Sequence, residues 1–246
     1  MTVVTLPITL GGVVRPSHLP ITRLAARLVT STLRTMDDHW LPYSAAALAS
    51  GAVALVLGTL SLPMSSDDMA LLQSAQVEGG RWIMAAAAFF FCAVGMGLGL
   101  PTFVFALPRR GRRFGYAGTT VLGVATLAMA AYGALLVFFQ ALAVNGIIDE
   151  SEMVLLGDDP GLRGFTVVFV GSFYLGEALL AVGMLRARTV PRWVPVLLLT
   201  HVAMLPLTGR VPQLAAIGAI VVGVAFMGVA VHANERFQLA RVGRER

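Results

Sequence analysis

The chain has 246 residues, of which 57% are hydrophobic and only 13% charged, and its mean hydropathy is +0.80. Soluble domains carry roughly 25% charged residues; this chain has too few polar groups to cover a surface in water, so lipid must solvate most of it. The formal charge is +5, and all 18 basic residues are arginine. In a membrane chain such charge marks the cytoplasmic side and does not call for a nucleic-acid partner.

Residues 1–43 read as a cytoplasmic segment. The opening MTVVTLPITLGG has neither the basic n-region nor the apolar run of a secretory signal. Gly11, Gly12, Pro16 and Pro20 punctuate residues 1–19 as irregular chain. Over residues 20–36 helical periodicity puts Ile21, Leu24, Ala25, Leu28, Val29, Leu33 and Met36 on one broad face. Arg23, Arg27 and Arg34 lie on the other. That pattern predicts an amphipathic helix lying in the interface, with Pro20 in its first turn. Its simplest role is to pack on the cytoplasmic ends of a bundle; a lipid-sensing or partner-binding helix is the alternative.

Apolar runs then predict a transmembrane domain over 44–233. Its spans are 44–64, 82–107, 115–145, 164–186, 193–208 and 212–233, followed by a basic cytoplasmic tail, 234–246. The fold class is therefore an all-α integral membrane bundle of about six helices. The third span is long enough to tilt. The fifth is short, with Pro195 and Pro206 near its ends. It reads either as a kinked span or as half of a broken hairpin with the sixth.

Arginine placement sets the orientation. Arg15, Arg23, Arg27 and Arg34 precede span one, and Arg109, Arg110, Arg112 and Arg113 join spans two and three. Arg186, Arg188 and Arg192 join spans four and five, and Arg236, Arg241, Arg244 and Arg246 follow span six. With six spans all of these fall on one side, which places both termini in the cytoplasm. The other side receives Arg81, Arg163 and Arg210 together with the acidic stretches. Trp40, Trp82 and Trp193 fall at span edges, where an indole prefers the headgroup layer. Arginine without lysine, in a chain rich in Ala, Gly and Val, suggests GC-rich coding and a bacterial plasma membrane.

Close packing at small residues holds helices together in lipid. Span one offers Ala47 with Gly51 and Ala54 with Gly58, span two Gly95 with Gly99, and span six Ala215, Ala219 and Gly223. Pro101 frees the carbonyl of Gly97, and a neighbouring hydroxyl is the expected partner. Cys92, the single cysteine, reads as a small packing residue.

Two polar residues lie deep in the spans. Glu177 stands nine residues before Arg186, and His201 eight residues after Trp193. On antiparallel neighbours both fall about 12–14 Å from the same boundary at 1.5 Å per residue. An ionised carboxylate there costs about 2.5–3.5 kcal/mol. Beside His201, Glu177 could share or exchange a proton. Tyr174, one turn earlier, and Thr126, at similar depth in span three, are candidates to complete a hydrogen-bonded network. The structural alternative is a helix tie worth about 0.6–2 kcal/mol.

Other constellations carry less. His39 and His232 fall near the cytoplasmic face but lack the paired spacing of haem ligands. The acidic stretches 149–152 and 157–161 read as solvated turns. No Gly-rich phosphate loop, HExxH or GxSxG occurs. No cofactor or metal is expected.

The stretch LGEALLAVGMLRARTVPRWVPVLLL, residues 175–199, has Arg186, Arg188, Pro191, Arg192 and Trp193 between two apolar helices. It resembles a hairpin found in uncharacterised multi-pass membrane proteins of high-GC bacteria. The resemblance implies a family of unknown function and supplies no catalytic residues. The residues thus point first to a non-enzymatic accessory or assembly protein, with the lipid bilayer and a membrane protein or second copy as partners. A small proton-coupled transporter using Glu177 and His201 is the alternative.

Overall fold

The computed structural model describes residues 20–242 apart from 64, 66, 108–110, 209, 210 and 212. Side chains are described from Trp40 onward except at residues 68, 150, 240 and 241. The chain falls into two units, Met1–His39 and Trp40–Arg246. Of the first unit, residues 20–39 are helical. The irregular stretch expected over 1–19, and the two faces expected of the helix at 20–36, lie outside the described residues and side chains.

Eight helices occur among the described residues: α1 (Pro20–Ser61), α2 (Asp68–Val77), α3 (Gly79–Ala106), α4 (Arg112–Val144), α5 (Glu150–Asp158), α6 (Pro160–Ala187), α7 (Trp193–Thr208) and α8 (Gln213–Val242). Five segments are long and apolar enough to cross a membrane: Trp40–Ser61, Gly79–Ala106, Arg112–Val144, Pro160–Ala187 and Gln213–Leu239. Their outward faces carry large apolar side chains, among them Phe91, Leu127, Phe138 and Val167, each more than 60% exposed. That is the surface of a protein solvated by lipid. The sixth apolar helix, α7, has 16 residues, about 24 Å at 1.5 Å per residue.

From Trp40 onward the long helices form a ring in the order α1, α3, α4, α6, α7, α8. Glycine contacts close the ring through α1. A Cβ at Gly51 would lie 2.7 Å from the Met96 nitrogen, one at Gly99 2.8 Å from the Leu48 Cα, and one at Gly223 2.8 Å from a Val56 methyl. The small-residue faces expected on spans one and two thus meet each other; of those expected on span six, Gly223 meets Val56 and Ala215 is exposed. Phe103 of α3 and Phe226 of α8 fill the centre edge to face, with centroids 5.4 Å apart. α4 packs on α6 comparably closely. A Cβ at Gly118 would fall 2.8 Å from the Leu180 nitrogen and one at Gly176 3.0 Å from the Leu122 nitrogen; Gly111 and Gly183 press together in the same way. The seven-residue spacings Gly111–Gly118 and Gly176–Gly183 keep these glycines on facing stripes.

Three expectations change. The acidic stretches are helix caps rather than bare turns. Asp149 accepts the N–H groups of Ser151 (2.8 Å) and Glu152 (3.1 Å), and Glu152 accepts the Asp149 N–H at 2.7 Å, a capping box that opens α5. Asp159 caps α6 by accepting the Leu162 N–H at 2.8 Å, with Pro160 in the first turn. Trp82 is buried, because α2 folds over it: its indole N–H donates to the Ser74 hydroxyl at 3.2 Å, and the ring packs on Phe139. Trp40, where the apolar segment of α1 begins, and Trp193, at the start of α7, stay about half exposed. Beside Pro101 the hydroxyl of Ser44 donates to the carbonyl of Leu98, at 2.9 Å, one residue beyond the expected Gly97.

Candidate functional site

The register of the α6–α7 hairpin decides the site. α6 ends at Arg188, which adopts φ 54°, ψ 31°, a left-handed turn that breaks the helix. The next residue pins the loop twice. The Thr189 hydroxyl donates to the Ala106 carbonyl of α3 at 2.5 Å. Its own carbonyl accepts the Nε2–H of His232 on α8 at 2.6 Å. α7 then starts at Trp193 and runs back along α6. On α6 the residues Phe173, Gly176, Glu177, Leu180, Ala181 and Met184 face inward; on α7 Val194, Leu198 and His201 do so. Both sets follow the three- and four-residue steps of a packed helical stripe.

Glu177 and His201 meet at this interface. The Nδ1 atom of His201 lies 2.7 Å from the Glu177 Oε2. The Glu177 side chain has 0% exposure and that of His201 8%. One proton sits between them, either as Nδ1–H facing a carboxylate or as a carboxylic acid facing a bare Nδ1. The imidazole is held on its other sides. Tyr174 stacks on it, with centroids 4.7 Å apart and planes 20° from parallel. Phe173 stands edge-on at 6.2 Å. Gly218 of α8 lies against the far edge, where a Cβ would come within 2.9 Å of Cδ2 and 3.2 Å of Nε2.

The wider network expected from the sequence is not formed among the described residues. Thr126 donates its hydroxyl to the Gly123 carbonyl of its own helix, at 2.8 Å, the usual resort of a threonine in an apolar helix. Tyr174 contributes its ring face to His201 rather than a hydroxyl bond. Phe173 and Gly218 were not singled out by the sequence; both are apolar residues whose role depends on which helix faces them. Glu177 Oε1 is buried without a partner among the described residues, as is the Thr119 hydroxyl. Thr119 and Glu177 each follow a glycine, Gly118 and Gly176, at the closest approach of α4 and α6.

The arrangement can do two things chemically. It ties two helices through a buried charge-assisted or neutral hydrogen bond, and it can hold or release one proton at the Glu177 carboxyl. Among the described residues no three His, Cys, Asp or Glu side chains gather as metal ligands would. Of the two histidines considered for haem, His232 is engaged with Thr189, and the side chain of His39 lies outside those described. No protein-family model, curated protein or solved structure matches the chain.

Proposed function

We propose that the chain is a six-span protein of a bacterial plasma membrane, with both termini in the cytoplasm. It works as a non-enzymatic accessory or assembly protein. Its apolar outer surface meets lipid and a membrane-protein partner or second copy. α7 counts as a span, the fifth in chain order, since its apolar 16 residues, at about 24 Å, fall a few ångströms short of a hydrocarbon core of about 30 Å, a mismatch a bilayer absorbs by local thinning. The arginine pattern supports the orientation. On the side assigned to the exterior, Arg81 pairs with Glu78 and Arg163 with Asp158. On the side assigned to the cytoplasm, Arg112 lies over Tyr116 and Arg186 over Phe114, leaving their charge free for anionic lipid.

The observation that carries the functional reading is the Glu177–His201 hydrogen bond. The only pair of titratable side chains joined inside the bundle, among the described residues, is spent on fastening α7 to α6. Cysteine accessibility tests it. Cys92 is replaced by Ser, a lone Cys is placed at position 174, 177 or 201, and a membrane-impermeant maleimide is applied to cells and to inside-out vesicles. The expected result is no labelling at these positions, with Cys at Ser151 labelled only from outside and at Arg188 only from inside.

A proton-coupled transporter is the second reading, favoured by one observation: the Glu177 Oε1 is fully buried and unpartnered among the described residues. Labelling at position 177 from either side would replace the first reading by this one, because it requires a water path to mid-membrane.

A further inference from the structure

A groove of about 610 Å³ runs along the outside of the bundle between α1 and α8. Its walls are Val53 and Leu57 on one side and Ile220, Val224 and Val231 on the other. All five are between 46% and 55% exposed, so the groove is continuous with the apolar surface that faces lipid. Its floor is helix backbone at Gly223 and Gly228. A Cβ at Gly223 would lie 2.8 Å from a Val56 methyl, and one at Gly228 would strike the Trp193 ring.

One end of the groove is polar, lined by Trp193, His232 and Glu235. The chemistry there is one-sided. A carbonyl can only accept, so the 2.6 Å contact with Thr189 fixes the proton of a neutral His232 on Nε2. Nδ1 is then a bare lone pair. It stands 3.9 Å from Glu235 Oε2, beyond hydrogen-bond length, and that carboxylate is largely exposed. Two acceptors, one of them anionic, therefore converge beside an indole with no donor between them. A primary ammonium has three N–H donors and a charge that an indole face attracts. A quaternary ammonium has the charge without the donors, and a glycerol headgroup has hydroxyl donors without the charge.

We propose that this groove is a binding site for an aminophospholipid: the ammonium sits between His232 Nδ1, Glu235 and Trp193, and an acyl chain lies along Gly223 and Gly228. Native mass spectrometry of the full chain in detergent tests it. Phosphatidylethanolamine, phosphatidylcholine and phosphatidylglycerol of identical acyl chains are titrated in turn. Phosphatidylethanolamine is expected to be retained about tenfold better than either, the effect of roughly one charge-assisted hydrogen bond. Glu235→Gln, a change at an exposed position, should reduce it to the level of phosphatidylcholine, and Val224→Trp, which fills the groove, should weaken all three. Equal retention of phosphatidylethanolamine and phosphatidylcholine, or no effect of Glu235→Gln, overturns the proposal. A photo-cross-linking residue at position 224 identifies the occupant directly. Capture of phosphatidylethanolamine supports the site; capture of residues 1–39 or of a second copy overturns it.

Discussion

Glu177 of α6 and His201 of α7 share one proton across 2.7 Å at a point where the carboxyl side chain has no exposure. A buried polar pair in a bilayer holds its helices together, because separating them leaves two desolvated groups. Its strength is measurable as a double-mutant cycle. Glu177→Ala and His201→Ala are each expected to destabilise the protein by about 1–3 kcal/mol, the usual cost of orphaning a buried partner. The coupling between them should be about 0.6–2 kcal/mol. Glu177→Gln keeps an acceptor for Nδ1–H and should lose less than Glu177→Ala. Unfolding in mixed micelles reads all four variants. Additive single effects would show that the pair does not act as a clasp.

Glycine substitution separates packed from open faces. On α6 a Cβ at Gly176 would meet the Leu122 backbone at 3.0 Å, whereas one at Gly164 or Gly171 has nothing within 4 Å. Backbone cannot move aside as a flexible side chain does. Gly176→Val is therefore expected to cost about 1–3 kcal/mol from overpacking. Gly171→Ala should be neutral or stabilising by up to about 1 kcal/mol, since alanine is the better helix former. Thermal denaturation in detergent compares them. An equal loss at Gly171 would reveal a contact on that face.

Much of this was legible in the sequence, and the reasons differ by residue. The long helices show as apolar runs because lipid demands them. The meeting of Glu177 and His201 follows from counting residues outward from one short loop between antiparallel helices. The glycines of α4 and α6 were equally visible, at seven-residue spacing, but nothing local says which glycine faces a neighbour and which faces lipid. Gly111, Gly118, Gly176 and Gly183 look no different from Gly157, Gly164 and Gly171 until the helices are paired. α2 and α5 were missed for another reason. Each is short, ten and nine residues, and neither is apolar enough to register as a span. The burial of Trp82 could not be read without α2. The partners of Tyr174 and Thr126 depend on side-chain rotation, which helical periodicity does not fix.

Ser44 offers a test of how α3 accommodates Pro101. Its hydroxyl lies 2.9 Å from both the Leu98 carbonyl and the Thr102 hydroxyl, and Ser44 and Thr102 are both buried. Proline removes one donor from the ladder of α3, and Ser44 supplies a hydrogen bond beside the gap. Ser44→Ala should cost about 1 kcal/mol. The loss should shrink when Pro101→Ala restores the backbone N–H. Equal losses in both backgrounds would detach Ser44 from the proline.

The Asp149 cap makes a prediction with a sign. The Ser151 hydroxyl first, and the Glu152 backbone N–H next, hold this carboxyl below its ordinary value of 3.8 against the opposing effect of desolvation, with the Ser151 backbone N–H adding the least. The folded value is below the unfolded one, so the carboxylate's contribution to α5 is complete above pH 3.8. It is lost as the pH falls through the lowered folded value. Hydrogen exchange, corrected for intrinsic rate, should show constant protection at the start of α5 near neutral pH and falling protection below about pH 4. Asp149→Asn keeps a capping oxygen without a titrating group, so the early amides of α5 should stay protected across that window. If the Asn variant loses protection at the same pH as the native chain, another group governs the acid opening of α5. Glu152, the partner carboxyl of the capping box, would be the next residue to replace.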